Sequence, residues 1–277
     1  MIKSHRAVRI LIFISLMCFF AVCEATNSSN SIHHGYVLSA TEQTVIISLL
    51  KGDASVFVEG GDSMMGKELL KTTAKKISSA YDENQVAADQ KYFKKKVFLT
   101  GNIQSINSGV ANKPYVTLVG IDQFISPQLR FLAGNLQKIS MLRKGQKVSV
   151  VCWAGGAVVG VPMFTHCQFS DDYANLSIVQ ASADLFKFLQ GAKPVSNELE
   201  MLAIAGITLA GNLPDASACR GEKVKFDNEK CNGDVMALIK NHRLTIKNEM
   251  HSVSEKLKLL GVRVSSPKVG KANVKVE

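Results

Sequence analysis

Two cysteines set symmetrically about a glycine-rich turn constrain this chain more than any other feature. Lys147–Trp153 and Pro162–Phe169 read as strands, and Ala154-Gly155-Gly156-Ala157-Val158-Val159-Gly160-Val161 connects them. Antiparallel partners in a hairpin keep a constant residue-number sum, and Cys152 with Cys167 centres the turn between Val159 and Gly160. A cross-strand disulfide fits there if the β-carbons approach within about 4.5 Å. Cys219 and Cys231 form a second local pair. Of the six cysteines, Cys18 and Cys23 lie in the N-terminal apolar run. The other four admit three pairings, and this clustering favours Cys152–Cys167 with Cys219–Cys231. Zinc is the rival reading. Against it, no C-x-x-C spacing occurs and His166 is the one histidine beside a cysteine. No metal or cofactor is expected.

The periodicity changes sharply upstream of the hairpin. From Ala74 to Lys91 the residues Ile77, Tyr81, Ala88 and Tyr92 recur near helical spacing. From Lys96 to Ile106 the period is two, with Val97, Leu99, Gly101 and Ile103 on one face. A glycine inside a strand marks a bend or a close approach. Tyr115–Ile121 and Gln128–Leu132 are predicted as the next strands, and Asn135–Leu142 as a short helix. Five strands with a helix between the third and fourth describe a small, partly open OB-type barrel. The expected fold class is α+β: a five-stranded OB-fold β-barrel preceded by a helix, with a helical C-terminal region.

Lys3, Arg6 and Arg9 precede an apolar run from Ile10 to Cys23, with small residues at Cys23 and Ala25. This is the pattern of a secretory signal peptide cleaved near Ala25; a retained anchor or lipidation at Cys23 are the alternatives. Its removal leaves 30 basic against 22 acidic residues, or +8. The expected location is periplasmic or secreted, where disulfides persist. Residues 26–73 are an N-terminal extension, with a hairpin or strand pair expected over Val45–Leu50 and Ser55–Glu59. Asp62 or Ser63 is expected to cap a helix through Lys67–Leu70. The barrel domain is placed at residues 74–172 and a helical region at 173–264. Within the latter, Leu176–Leu189, Leu199–Leu213 and one long helix over Val235–Leu260 are predicted. That long helix turns Met236, Ile239, Ile246, Met250, Val253, Leu257 and Leu260 inward and ends at Gly261. Residues 265–277 are a basic tail.

The order of Tyr81, Asn84, Ala88-Asp89 and Tyr92, then Thr100-Gly101, then Gly145-Gln146, Cys152, Gly160, Pro162 and Cys167, resembles the tRNA anti-like OB-fold family of exported bacterial proteins. The resemblance covers about one third of the chain, from roughly residue 74 to 170. It implies an OB barrel and brings no catalytic residues. OB barrels bind oligonucleotides, oligosaccharides and proteins alike.

The ligand-binding candidates are Lys94, Lys95, Lys96, Phe98, Arg143, Lys144 and Trp153. Lysine runs and strand aromatics together make a surface for anionic chains, and Phe98, opposite Val97 and Leu99, is expected on the exposed face. Tyr81 and Tyr92 are expected to dock the helix on the barrel. Asp171-Asp172 reads as a solvated turn, since no apolar setting raises either carboxyl. No nucleophile elbow or Walker loop is present, and His33-His34 is weak as a metal pair. The expected function is non-catalytic binding of an envelope protein or anionic glycan. Single-stranded nucleic acid, bound on the basic barrel face, is the alternative.

Overall fold

The computed structural model describes residues 35–109, 112–220, 229–241 and 243–265. The leader, His33-His34, most of the loop between Cys219 and Cys231, and the basic tail lie outside the described residues.

Five strands close on themselves: β2 (Lys96–Asn107), β3 (Tyr115–Leu118), β4 (Gln128–Phe131), β5 (Lys147–Val158) and β6 (Val161–Phe169). The order around the barrel is β2-β3-β4-β6-β5 and back to β2, with β4 and β6 parallel and the other pairs antiparallel. A short helix, α4 (Leu136–Ser140), follows β4. This is the OB arrangement. A sixth strand, β1 (Leu70–Thr73), adds parallel to the first half of β2. The interior holds Val97, Leu99, Ile103, Leu118, Leu129, Val150 and Phe164, all buried. A β-carbon on Gly101 would lie 2.8 Å from the Ala74 β-carbon, so the expected close approach is real.

The hairpin turns where the residue sum places it, with Val158 opposite Val161. Cys152 and Cys167 are joined, their Cα atoms 4.2 Å apart, and both are fully buried in the barrel core. Two compensating irregularities keep this register, one extra residue on β5 between the Ala154–Phe164 and Ala157–Pro162 pairs and one on β6. His166, at φ 50°, is the bulge between the Val151–Gln168 and Trp153–Thr165 pairs.

The helix before the barrel is two helices, α2 (Ala74–Glu83) and α3 (Gln85–Tyr92). Asn84 is extended and caps α3 by accepting from the Ala87 N–H at 3.0 Å. Tyr81 and Tyr92 are buried against the barrel as expected.

Residues 40–58 correct the expected strand pair: they form one helix, α1. Ser39 and Glu42 make a reciprocal capping box, and Val45, Ile46, Leu50, Ala54 and Phe57 are its buried residues. The expected helix at Lys67–Leu70 is also absent. Ser63 instead caps a 3-10 turn, Met64–Gly66, with Asp53 accepting from the Met64 N–H at 3.0 Å.

β6 runs directly into α5 (Ser170–Leu189), which α6 (Asn197–Asn212), α7 (Glu229–Asn241) and α8 (Arg243–Leu259) follow. α7 and α8 cover the expected Val235–Leu260 helix on either side of residue 242, which lies outside the described residues, and Met236 and Leu260 are exposed rather than inward. Ile246 and Leu257 are buried. Gly261, at φ 83°, ends α8, with the Val262 N–H donating to the Leu257 carbonyl at 3.0 Å. Cys219 and Cys231 are joined beside Leu209, Leu213 and Val235. Among the described residues no helix is long and apolar enough to cross a membrane.

The helices meet the outer wall of the barrel along a seam of Ala54, Phe57, Leu69, Phe98, Val151 and Ala174. Phe57 stands edge-on to Phe98 at 5.0 Å and packs beside Tyr173 at 5.5 Å.

Candidate binding surfaces of the barrel

The seam decides the fate of one candidate. Phe98 does face away from the barrel interior, but it is only 2% exposed because α1 and α5 cover that wall. Phe98 is therefore a packing residue, unavailable to a ligand.

The other candidates separate into two groups. Lys96 and Trp153 are directly opposed across β2 and β5. With Lys95, Glu68, Leu69, Leu70 and Tyr173 they line a cleft of about 540 Å³. The Lys96 ammonium lies 4.6 Å from the centre of the Tyr173 ring, and the Trp153 indole is exposed. Lys95 donates to the Gln90 carbonyl at 3.1 Å. Lys94, at φ 58°, makes the sharp entry into β2, and its ammonium sits 5.2 Å over the Phe93 ring. Arg143 and Lys144 are exposed at the far end of the same strand pair, where Gly145 N–H donates to the Ile103 carbonyl. Six residues of β2, or about 20 Å, separate that end from Lys96. They do not join the cleft.

A larger groove was not among the candidates. It has a volume of about 1030 Å³ and lies on β3 and β4, walled by the β2–β3 connection and the segment leading into α4. Tyr115 and Arg130 are directly opposed there, with Gln128 beside them and Lys113 and Pro114 at one rim. Val116 and Leu129 point into the barrel, so strand alternation turns Tyr115, Gln128 and Arg130 outward. The side chains lining the groove include two cations and no carboxylate. Phe131 also borders it, but the Phe169 ring stacks on it at 4.8 Å. Tyr115 is thus the freer aromatic face. The signal in the sequence was the pair of outward positions on β3 and β4, but their pairing exists only once the barrel register is known.

Asp171 and Asp172 lie in the first turn of α5, and Lys138 bridges both at 2.6 and 3.0 Å. Partial burial pushes the Lys138 ammonium down, but the two carboxylates outweigh it and hold its pKa above the usual value. The pair is a structural clamp between α4 and α5. The Tyr81 hydroxyl donates to Asp89 at 2.8 Å. Burial first, then that bond and the carboxylate charge, raise its pKa well above the ordinary phenol.

The model of the tRNA_anti-like family matches residues 1–168. The chain belongs to the tRNA_anti-like family. This tRNA_anti-like protein is also similar to a solved crystal structure from Klebsiella pneumoniae described as a "putative nucleic acid-binding lipoprotein". The two are 19% identical, the match covers 36% of this chain and 91% of that one, and the TM-score is 0.30. No protein of curated function matches the sequence.

Proposed function

We propose that this protein is an exported, non-catalytic binding module that holds a segment of an anionic glycan in the groove on β3 and β4. The observation that supports this most is the Tyr115–Arg130 pair in an open groove lined with Lys113 and no acid. Cross-strand neighbours have β-carbons about 4.5–5.5 Å apart, so the ring and the guanidinium form one platform. A sugar ring packs on the phenol face while its carboxylate or sulfate meets a planar, always-charged fork. Two disulfides buried in the fold are consistent with an oxidising compartment.

Single-stranded nucleic acid is the second reading, favoured by the same cations and ring. Such ligands stack successive bases on several aromatics, whereas Phe131 is already stacked on Phe169. The Lys95–Lys96–Trp153 cleft remains the competing surface for either chain.

The test is titration of the oxidised protein with a uronic-acid oligosaccharide, a neutral dextran and oligo-deoxythymidine, at low and moderate salt. The expected result is preference for the acidic glycan, with a loss of about tenfold or more in Arg130→Ala and little change in Lys96→Ala. Preference for oligo-deoxythymidine with a steep salt slope would transfer the function to nucleic acid. A response to Lys96→Ala alone would move the site to the cleft. Binding confined to an envelope protein that survives moderate salt would replace the glycan.

A further inference from the structure

The tip of the β5–β6 hairpin spends stability in two ways at one residue. Val159 and Gly160 are the two turn residues, at φ 51° and 80°. Positive φ at both positions is the pattern that asparagine-glycine satisfies, and a β-branched residue there is an outlier. Val159 is also 98% exposed, so its side chain gains no burial in return. Strain retained at an exposed apolar residue calls for a partner outside the chain.

The valine is not isolated. The hairpin arm lies along α3: a β-carbon on Gly156 would sit 3.4 Å from Phe93, and one on Gly160 would sit 3.9 Å from Gln85. That juxtaposition brings Val86, Phe93 and Val158 to the same edge, exposed by 70%, 43% and 60%. Lys91, Lys94 and Lys95, all exposed, surround it from the end of α3 and the entry to β2. Lys94 folds its ammonium over the Phe93 ring at 5.2 Å. Asp89, whose Oδ1 would lie 3.4 Å from a β-carbon on Gly156, accepts from the neutral Tyr81 hydroxyl and offsets one of the three ammonium charges. Exposed Asp82 and Glu83 close α2, beside the Gln85 end of α3 and away from the lysines, with Glu83 accepting from Ser79.

We propose that this edge docks on an anionic lipid surface, with Val158, Val159, Val86 and Phe93 entering the headgroup–acyl boundary and the three lysines meeting the headgroups. A hairpin tip is convex, and a fluid interface receives a convex apolar tip without a complementary pocket. The ammonium groups sit over the Tyr92 ring for Lys91, over the Phe93 ring for Lys94 and on the Gln90 carbonyl for Lys95. On docking they would turn to the headgroups while the lysine stems stay along the apolar side chains. Apolar insertion plus basic residues is the two-signal combination that gives reversible membrane attachment.

The experiment places an indole at the tip. Full-length Val159→Trp is mixed with vesicles of phosphatidylcholine, with or without phosphatidylglycerol, carrying nitroxide quenchers on the acyl chains. Wild type, whose sole indole is Trp153, supplies the background. This readout reports the tip itself, so attachment through the N-terminal leader does not imitate it. The expected result is a blue shift with quenching in the anionic vesicles. Partition is expected to fall about a hundredfold in Lys91→Gln/Lys94→Gln/Lys95→Gln, at roughly 1 kcal/mol per lysine. A second variant, Val159→Asn, is expected to melt no lower than wild type, because asparagine suits the turn, yet to weaken the partition of the barrel edge. An unquenched indole, equal quenching in neutral vesicles, or Val159→Asn binding like wild type would each overturn the proposal. The groove variant Arg130→Ala is expected to leave all of these readings unchanged, so failure here leaves the glycan reading standing.

Discussion

In the barrel, Cys152–Cys167 joins two strands that a hydrogen-bonded ladder already holds together. In the helical layer, Cys219–Cys231 joins a loop to α7, where no ladder exists. The loops they close are similar, with sequence separations of 15 and 12, so chain entropy gives the two bridges nearly the same value, about 3 kcal/mol each. What differs is the native structure left when each is removed. The barrel closes on itself, and its strands pair on both sides. The helices are held by side-chain packing in three smaller clusters, one of which is the seam with the barrel.

The largest expected effect breaks that seam. Phe57 is fully buried between Phe98 and Tyr173, and Phe57→Ala is expected to destabilise the protein by about 3–5 kcal/mol. Trp153, in β5, is the only tryptophan, so its fluorescence reports the barrel while far-ultraviolet circular dichroism is weighted to the helices. Both denaturant midpoints are expected to fall together. A shift of the dichroism transition alone would show that the helices unfold without the barrel and that the seam is not shared.

The disulfide variants sharpen the same contrast. Cys152→Ala/Cys167→Ala and Cys219→Ala/Cys231→Ala are each expected to lower stability by about 2–4 kcal/mol. Hydrogen exchange separates them. The β5–β6 amides are expected to keep relative protection in the first variant, because the ladder persists. The start of α7 is expected to lose it in the second. There the Ser217 hydroxyl and the Ala218 N–H, which donate to Asp234 at 2.7 and 2.8 Å, still tie the loop to that helix. Equal local loss in both would mean that the ladder contributes no protection of its own.

Within the barrel's docking helices the effects are smaller and depend on pH. Tyr81→Phe removes one hydrogen bond to Asp89, a loss of about 1–1.5 kcal/mol. Because the folded-state pKa of Tyr81 is raised above 10.0, its contribution is fully present below about pH 10 and is lost as pH rises through the folded value. Tyr36, raised by burial and by its bond to Glu42 at 2.6 Å, has the same sign. Stability of the wild type is therefore expected to fall above pH 10, and less steeply in Tyr81→Phe. An identical alkaline slope in the two proteins would remove Tyr81 from the account.

Legibility in the sequence divides along the same line. The barrel was readable because its information is local: a period of two in β2, and two cysteines whose spacing sets the hairpin register. The two features misplaced or missed on its surface depend on distant pairing. Phe98 faces outward as alternation says, and only the arrival of Phe57 and Ala174 buries it. Arg130 meets Tyr115 only through the β3–β4 register. The lysines and Trp153 at the β2–β5 end do converge, because their strands are the long, strongly patterned ones. Arg143 and Lys144 do not, since charge alone carries no position along a strand.

α1 is different, because its signals were present and local. Thr44-Val45-Ile46-Ile47 is rich in β-branched residues and Gly52 interrupts the run, and both suggest strands. Yet Ser39 and Glu42 stand three apart, immediately before the apolar stretch, and their two bonds close a capping box. Val45, Ile46, Leu50, Ala54 and Phe57 then fall on one helical face against α5 and α6. Burial of that face outweighs the propensity of the β-branched residues, which is worth only tenths of a kcal/mol per residue. The cap is consequently the smallest term: Ser39→Ala is expected to lower stability by about 0.5–1 kcal/mol without altering the helix beyond its first turn. A loss near that of Phe57→Ala would mean that the cap, rather than the buried face, decides whether residues 40–58 are helix or strand. In that event the helical layer would be set by local sequence after all, as the barrel hairpin is.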